Sequence, residues 1–234
     1  MATDTAVMIE LEPARSVSGL LKAPPNATAG FVMAHGAGAG MTHPFMAAVA
    51  DGLAARRIAT LRYQFPYMET GSKRPDRPAP AHATVRAAVA AAHELLPSLP
   101  LFAGGKSFGA RMTSQAQAEA PLPGVRGLIF LGFPLHPARQ PSDGRAAHLA
   151  EVTIPMLFLQ GTRDALADRG LLVPLTDRLG AALHVFDHAD HSFHVPVRSG
   201  RTDAQVLQAL CDTITAWIGA VLGPAGSPPR TGRP

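Results

Sequence analysis

Six short apolar runs, each ending in glycine or a polar turn, alternate along this chain with longer stretches of helical spacing. The runs cover residues 30–36, 58–65, 101–105, 125–131, 154–160 and 182–186, and the helical stretches 44–57, 81–96, 108–120, 171–179 and 202–222. A continuous apolar run bounded by turn residues reads as a strand buried on both faces. Strands alternating with helices return parallel through right-handed crossovers. The pattern therefore predicts an α/β architecture, a mostly parallel twisted sheet with helices on both faces. The first 22 residues add one or two antiparallel strands, over 6–11 and 19–22. Residues 66–80 read as a Pro-rich loop, and 134–151 as a loop with a short helix at 144–149. Residues 1–222 read as a single domain, and the Pro/Gly-rich residues 223–234 as a disordered tail.

Composition narrows the classes. The 234 residues carry a net charge of +4, but the 21 Lys and Arg are scattered and only 6% of residues are aromatic. No basic stripe with interleaved aromatics appears, so a nucleic-acid partner is not expected. No uncharged apolar run reaches about 18 residues, so no membrane span is expected. The start of the chain holds Asp4, Glu10 and Glu12 and lacks the basic, then apolar, pattern of a signal peptide. Cys211 stands alone, which rules out an internal disulfide. The simplest expectation is a cytoplasmic protein.

In open parallel sheets ligands bind at the carboxyl ends of the strands. Those ends carry 35–36, 64–65, 105–107, 132–133, 161–164 and 187–191. Gly105-Lys-Ser-Phe-Gly109 fits G-x-S-x-G between a strand and a helix, where a tight turn presents a serine and its neighbours must be small. The competing phosphate-loop reading fails because it needs a glycine where Pro100 stands. A helix N-cap is the bland reading of Ser107. A serine nucleophile needs a base, and the base needs a third group to fix its tautomer. In the chain order Ser, Asp, His, the candidates are Asp164 in Gly161-Thr-Arg-Asp164 and His191 in Asp190-His-Ser-Phe193. Asp168 is an alternative acid. His188 and His194 flank His191, but no accompanying cysteine or paired-carboxylate pattern supports a metal site.

Residues 35–40, His-Gly-Ala-Gly-Ala-Gly, end the first core strand. They miss the dinucleotide pattern, since Met41 stands where its last glycine belongs. Backbone N–H groups of Ala37 and of Phe108, the residue after the serine, are the expected oxyanion donors. His35 precedes the serine and reads as a structural histidine bonding its own loop. It stands with Tyr67, Phe133 and Arg111 among residues near enough to the strand ends to touch a substrate. Arg111 and Lys106 could attract an anion, though solvated or paired charges are the plainer reading.

Together the segments at 35–40, 105–109, 161–164 and 190–193 resemble the α/β-hydrolase fold. More narrowly they look like a small dienelactone-hydrolase-like branch. That branch includes uncharacterised bacterial proteins, a testis-expressed mammalian relative and a scaffold subunit of the non-specific lethal histone-acetyltransferase complex. Arg62-Tyr-Gln-Phe-Pro-Tyr67 is similar to a segment of that branch, with Gln64 in place of its usual asparagine. The resemblance implies a sheet of about eight strands and a serine hydrolase triad of Ser107, Asp164 and His191. Too few residues lie between 131 and 155 for a large cap domain. The expectation is an open cleft rimmed by Tyr67, 68–80, 133–139 and 194–198, and a small or exposed acyl ester or thioester as substrate. This chemistry calls for no cofactor and no metal. A non-catalytic scaffold on the same fold, or an acyltransferase or peptidase using the same triad, stays open.

Overall fold

The computed structural model describes residues 2–12 and 15–223. Apart from Gly223, the tail expected at 223–234 lies outside these residues. Eight strands form one sheet: β1 (Thr5–Glu12), β2 (Arg15–Lys22), β3 (Ala29–Ala34), β4 (Ile58–Tyr63), β5 (Leu101–Lys106), β6 (Val125–Leu131), β7 (Met156–Gly161) and β8 (Ala182–Phe186). Their order is β1-β2-β4-β3-β5-β6-β7-β8, with β1 and β2 antiparallel and the rest parallel. The helices are α1 (Pro44–Ala54), α2 (Pro66–Glu69), α3 (Pro78–Leu95), α4 (Phe108–Glu119), α5 (Arg169–Leu179) and α6 (Asp203–Leu222).

The period-two alternation of the central strands sorts their side chains into two cores. In β3, Val32 and Ala34 join the core beneath α3 and α4, while Phe31 and Met33 join the one beneath α1 and α6. Helix α6 is long and apolar enough by length and hydropathy to cross a bilayer, although Asp212 interrupts its apolar run. Its stripe of Val206, Leu210, Cys211, Ile214 and Ile218 is buried against the sheet.

Several boundaries move for local reasons. Strand β2 starts at Arg15, four residues before the expected 19, because its pairing with β1 runs back to Arg15 opposite Glu12. The loop expected at 66–80 contains α2, and α3 begins at Pro78 rather than 81. Proline suits a first helical turn, whose N–H groups have no intrahelical partner. The 310 segment Gly144–Glu151 packs onto α4 through buried Ala146 and Leu149, so the chain between β6 and β7 builds no cap.

The sheet's switch point lies at β3, because the chain leaves β4 on one side of it and reaches β5 on the other. Ala34 pairs with Gly105 across β3 and β5, so the loop after β3 and the turn after β5 emerge side by side. Gly161 likewise pairs with Phe186, which aligns the loops after β7 and β8.

Ile214→Ala, at a side chain with no exposure, is expected to lower unfolding free energy by roughly 2–5 kcal/mol. Val197→Ala, at a 97% exposed position, should change it by less than about 0.5 kcal/mol. Urea melts of the two variants measure both.

Candidate active site

Ser107 sits between β5 and α4 with φ 50° and ψ −108°, in a region that L residues with side chains rarely adopt. Such a backbone costs about 1–3 kcal/mol and persists only where its surroundings enforce it. Here they do. A Cβ on Gly105, at φ 147°, would lie 2.1 Å from the Ala34 carbonyl oxygen, and one on Gly109 would lie 2.6 Å from Ala34 Cβ. The turn is wedged against β3, and the serine side chain has one way to go.

That way leads to His191. Ser107 Oγ lies 2.9 Å from His191 Nε2, and His191 Nδ1 lies 2.7 Å from Asp164 Oδ2. Asp164 has a fully covered side chain. Its Oδ2 also accepts from Gln160 Nε2 and its Oδ1 from the Leu166 N–H at 2.8 Å. Gln160 in turn accepts the Phe133 N–H at 3.0 Å, tying the acid to the end of β6. The carboxylate accepts at Nδ1, which fixes the tautomer that leaves Nε2 free to receive a proton from the serine.

The loops bearing the acid and the base are laced together. Thr162 N donates to Phe186 O, Arg163 N to Ala189 O, and His188 N to Thr162 Oγ1. Asp190 Oδ1 closes the base loop by accepting from Ser192 and His194 N–H groups. Phe193 is its apolar anchor, stacked on Phe45 at 5.7 Å and edge-on to Phe186.

Across the serine, the backbone N–H groups of Ala37 and Phe108 have no acceptor among the described residues. The loop carrying Ala37 is held from behind. Tyr67 Oη donates to Ala37 O at 2.9 Å, Gln64 Oε1 accepts from Met41 N at 2.9 Å, and Arg62 donates to Met41 O. The start of α4 at Phe108 adds the positive end of a helix dipole beside Ser107.

A cleft of about 380 Å³ opens on this group, within the range of small-molecule sites. Its walls are residues 36–39, His43, Phe45, Met46, Lys106, Ser107, His191 and Ser192. Residues 68–80, 133–139 and 194–198, expected at the rim, are not among them, although His194 lines the adjoining cavity beyond Phe45 and Ser192. The loop after β3 and the start of α1 build the wall instead. Four residues expected to touch substrate stand elsewhere. His35 is fully buried, with Nδ1 2.8 Å from the Gly36 carbonyl and Nε2 accepting the Phe65 N–H, and burial lowers its pKa. Tyr67 is buried behind the Ala37 loop, and burial pushes its hydroxyl up to about 12. Phe133 is fully buried among Phe130, Phe158 and His148. Arg111 lies outside the cleft wall, half-buried, with its pKa lowered by burial and by Arg145 of the 310 segment.

The histidines beside His191 do not gather round it. His194 pairs with Asp203 at 2.8 Å on the surface, and His188 takes a turn at φ 61°. Among the described residues no three His, Cys, Asp or Glu side chains cluster as a metal would require. Asp168 N donates to His136 Nε2, which anchors the acid loop without bringing the Asp168 carboxylate to His191. Sequence reasoning missed Gln160 and Gln64. Each is a polar residue at a strand end where an apolar one would be usual, and that was the available signal.

Residues 27–219 match the family described as Alpha/beta hydrolase domain, and the chain belongs to that family. Solved structures with the same fold include a dienelactone hydrolase from Anabaena variabilis. It is 20% identical, with a TM-score of 0.72 over 93% of this chain and 97% of that one. An α/β serine hydrolase without a lid from Xanthomonas campestris is 20% identical, with a TM-score of 0.70 over 92% and 94%. Est1E from Butyrivibrio proteoclasticus, seen with ferulic acid bound, is 15% identical, with a TM-score of 0.70 over 91% and 99%.

Two helical glycines should respond oppositely to alanine. Gly109→Ala drives a Cβ into β3 and is expected to cost about 1–3 kcal/mol by overpacking. Gly219→Ala, on α6 with nothing within 4 Å, is expected to gain up to about 1 kcal/mol from helix propensity. Chemical denaturation reads both signs.

Proposed function

We propose that the protein is a serine hydrolase that cleaves an ester or thioester of a small or exposed acyl group through an acyl-enzyme. The observation that carries this reading is the continuous Ser107–His191–Asp164 hydrogen-bond chain opening on a cleft beside two unengaged N–H groups. In the proposed cycle His191 Nε2 takes the Ser107 proton as Oγ attacks the acyl carbonyl. The oxyanion accepts from Ala37 and Phe108 N–H groups, and Asp164 steadies the imidazolium. His191 then gives the proton to the departing alkoxide or thiolate. Water, activated by the same imidazole, attacks the acyl-enzyme and frees Ser107.

The cleft walls favour apolar acyl groups, being lined by Ala37, Ala39, Phe45 and Met46. With no cap over the site, the alcohol side can be larger. Feruloyl esters belong in the substrate screen, since ferulic acid is the ligand seen in Est1E.

A fluorophosphonate probe is expected to add once to the wild-type protein by intact mass and not at all to Ser107→Ala. The same variant should lose about 10⁵–10⁶-fold in kcat on p-nitrophenyl acetate. A folded wild type that takes no probe and turns over no ester would end the hydrolase reading.

A second apolar cavity of about 410 Å³ shares Phe45 and Ser192 with the cleft. Phe45→Ala should join the two spaces. Each methylene newly buried contributes about 0.8 kcal/mol, so the preferred acyl length on a series of p-nitrophenyl esters should rise by several carbons. An unchanged length profile would show that the partition does not set specificity.

A further inference from the structure

The cleft holds one charged group that acyl transfer leaves idle. Lys106 is the last residue of β5, and its Nζ donates to the backbone carbonyl of His191 at 2.5 Å. The ammonium stands 5.4 Å from the centroid of the Phe193 ring, which offers it a π face. Room for it exists because residue 132 is glycine, where a Cβ would come within 3.0 Å of Nζ. The base loop is well tied at Asp190, Ser192 and His194, but among the described residues the only hydrogen bond to the His191 peptide itself comes from Lys106.

We propose that Lys106 is a positioning residue that clamps the base loop to the nucleophile strand and so holds His191 in reach of Ser107. The inference rests on the hydrolase reading above. Reaction geometry is unforgiving: a displacement of 1 Å can cost about 100-fold in rate. A charged donor makes a hydrogen bond about twice as strong as a neutral one, so the ammonium is the effective form of the clamp. The titratable groups facing it are Asp164 from the loop after β7 and Asp190 and His191 from the base loop, and His43 lines the same cleft. Burial, its largest influence, pushes the Lys106 pKa down to about 8, and Asp164 and Asp190 oppose this. The cation is present below that pH and is lost as pH rises through it, so the clamp weakens on the alkaline side.

The test is kcat and KM against pH for wild type, Lys106→Met and Lys106→Cys, with p-nitrophenyl acetate as substrate. Wild-type kcat should fall as pH rises through about 8. Lys106→Met should lose about 10- to 100-fold in kcat with little change in KM, and should lack that alkaline limb. Alkylating Lys106→Cys with 2-bromoethylamine rebuilds a lysine-like amine made more acidic by its sulfur, while buried Cys211 is shielded. It should restore kcat, with the limb moved to lower pH. This rescue separates a lost clamp from a damaged fold. Overturning results are a Lys106→Met enzyme with wild-type kcat, a limb that survives the substitution, or an aminoethylated protein that stays slow. A wild type that neither takes the fluorophosphonate nor cleaves the ester removes the ground for both readings. An active wild type with any of the three results above overturns this one alone.

Discussion

The contact between β3 and the turn after β5 is the constraint on which the rest of the site depends. At Ala34 the two backbones come so close that Gly105 and Gly109 leave no space for a methyl group. This contact holds Ser107 at a positive φ, with its Oγ at His191 Nε2, and brings the loop after β3 out beside the serine. One steric fact thus positions both the candidate nucleophile and the candidate oxyanion donors. The strain of about 1–3 kcal/mol at Ser107 is small against the two cores that lock β3 and β5 in the middle of the sheet.

The acid and base are positioned differently. They sit on loops after β7 and β8, toward the far edge of the sheet. Hydrogen bonds do the work there, between the two loops and from Gln160 to the carboxylate. Burying the Asp164 carboxylate would be costly without donors. It receives them from the imidazole, the Gln160 amide and the Leu166 N–H.

Those two modes explain what the sequence could reveal. Strand ends, glycine turns and the order Ser107, Asp164, His191 are patterns along the chain, and they placed three side chains that the fold brings together. The parallel sheet was legible for the same reason, as apolar runs carry burial on both faces. The starts of β2 and α3 were not, because pairing register and a proline-tolerant first turn override local polarity. The cleft walls were misjudged because they depend on side-chain direction. Tyr67 and Phe133 stand beside strand ends in the sequence, yet Tyr67 turns its hydroxyl to the back of the Ala37 loop and Phe133 turns into the core. No periodicity records that choice.

The same division says where such a site can change. One wall of the cleft is built by residues 36–39, His43, Phe45 and Met46, from a loop and the first turn of α1, and that loop is held from behind by Gln64, Tyr67 and Arg62. Its side chains at Ala37, Ala39 and Phe45 line the cleft and make none of the bonds that align Ser107, His191 and Asp164, while Met46 is packed into the core beneath α1 and α6. Phe45 is the exception in part, since it stacks on the anchor of the base loop. Substitution at 37 or 39 can therefore reshape what fits without disturbing the aligned groups, whereas substitution at 45 acts on shape and alignment together. Specificity and alignment meet at that one aromatic pair, beside the ammonium of Lys106.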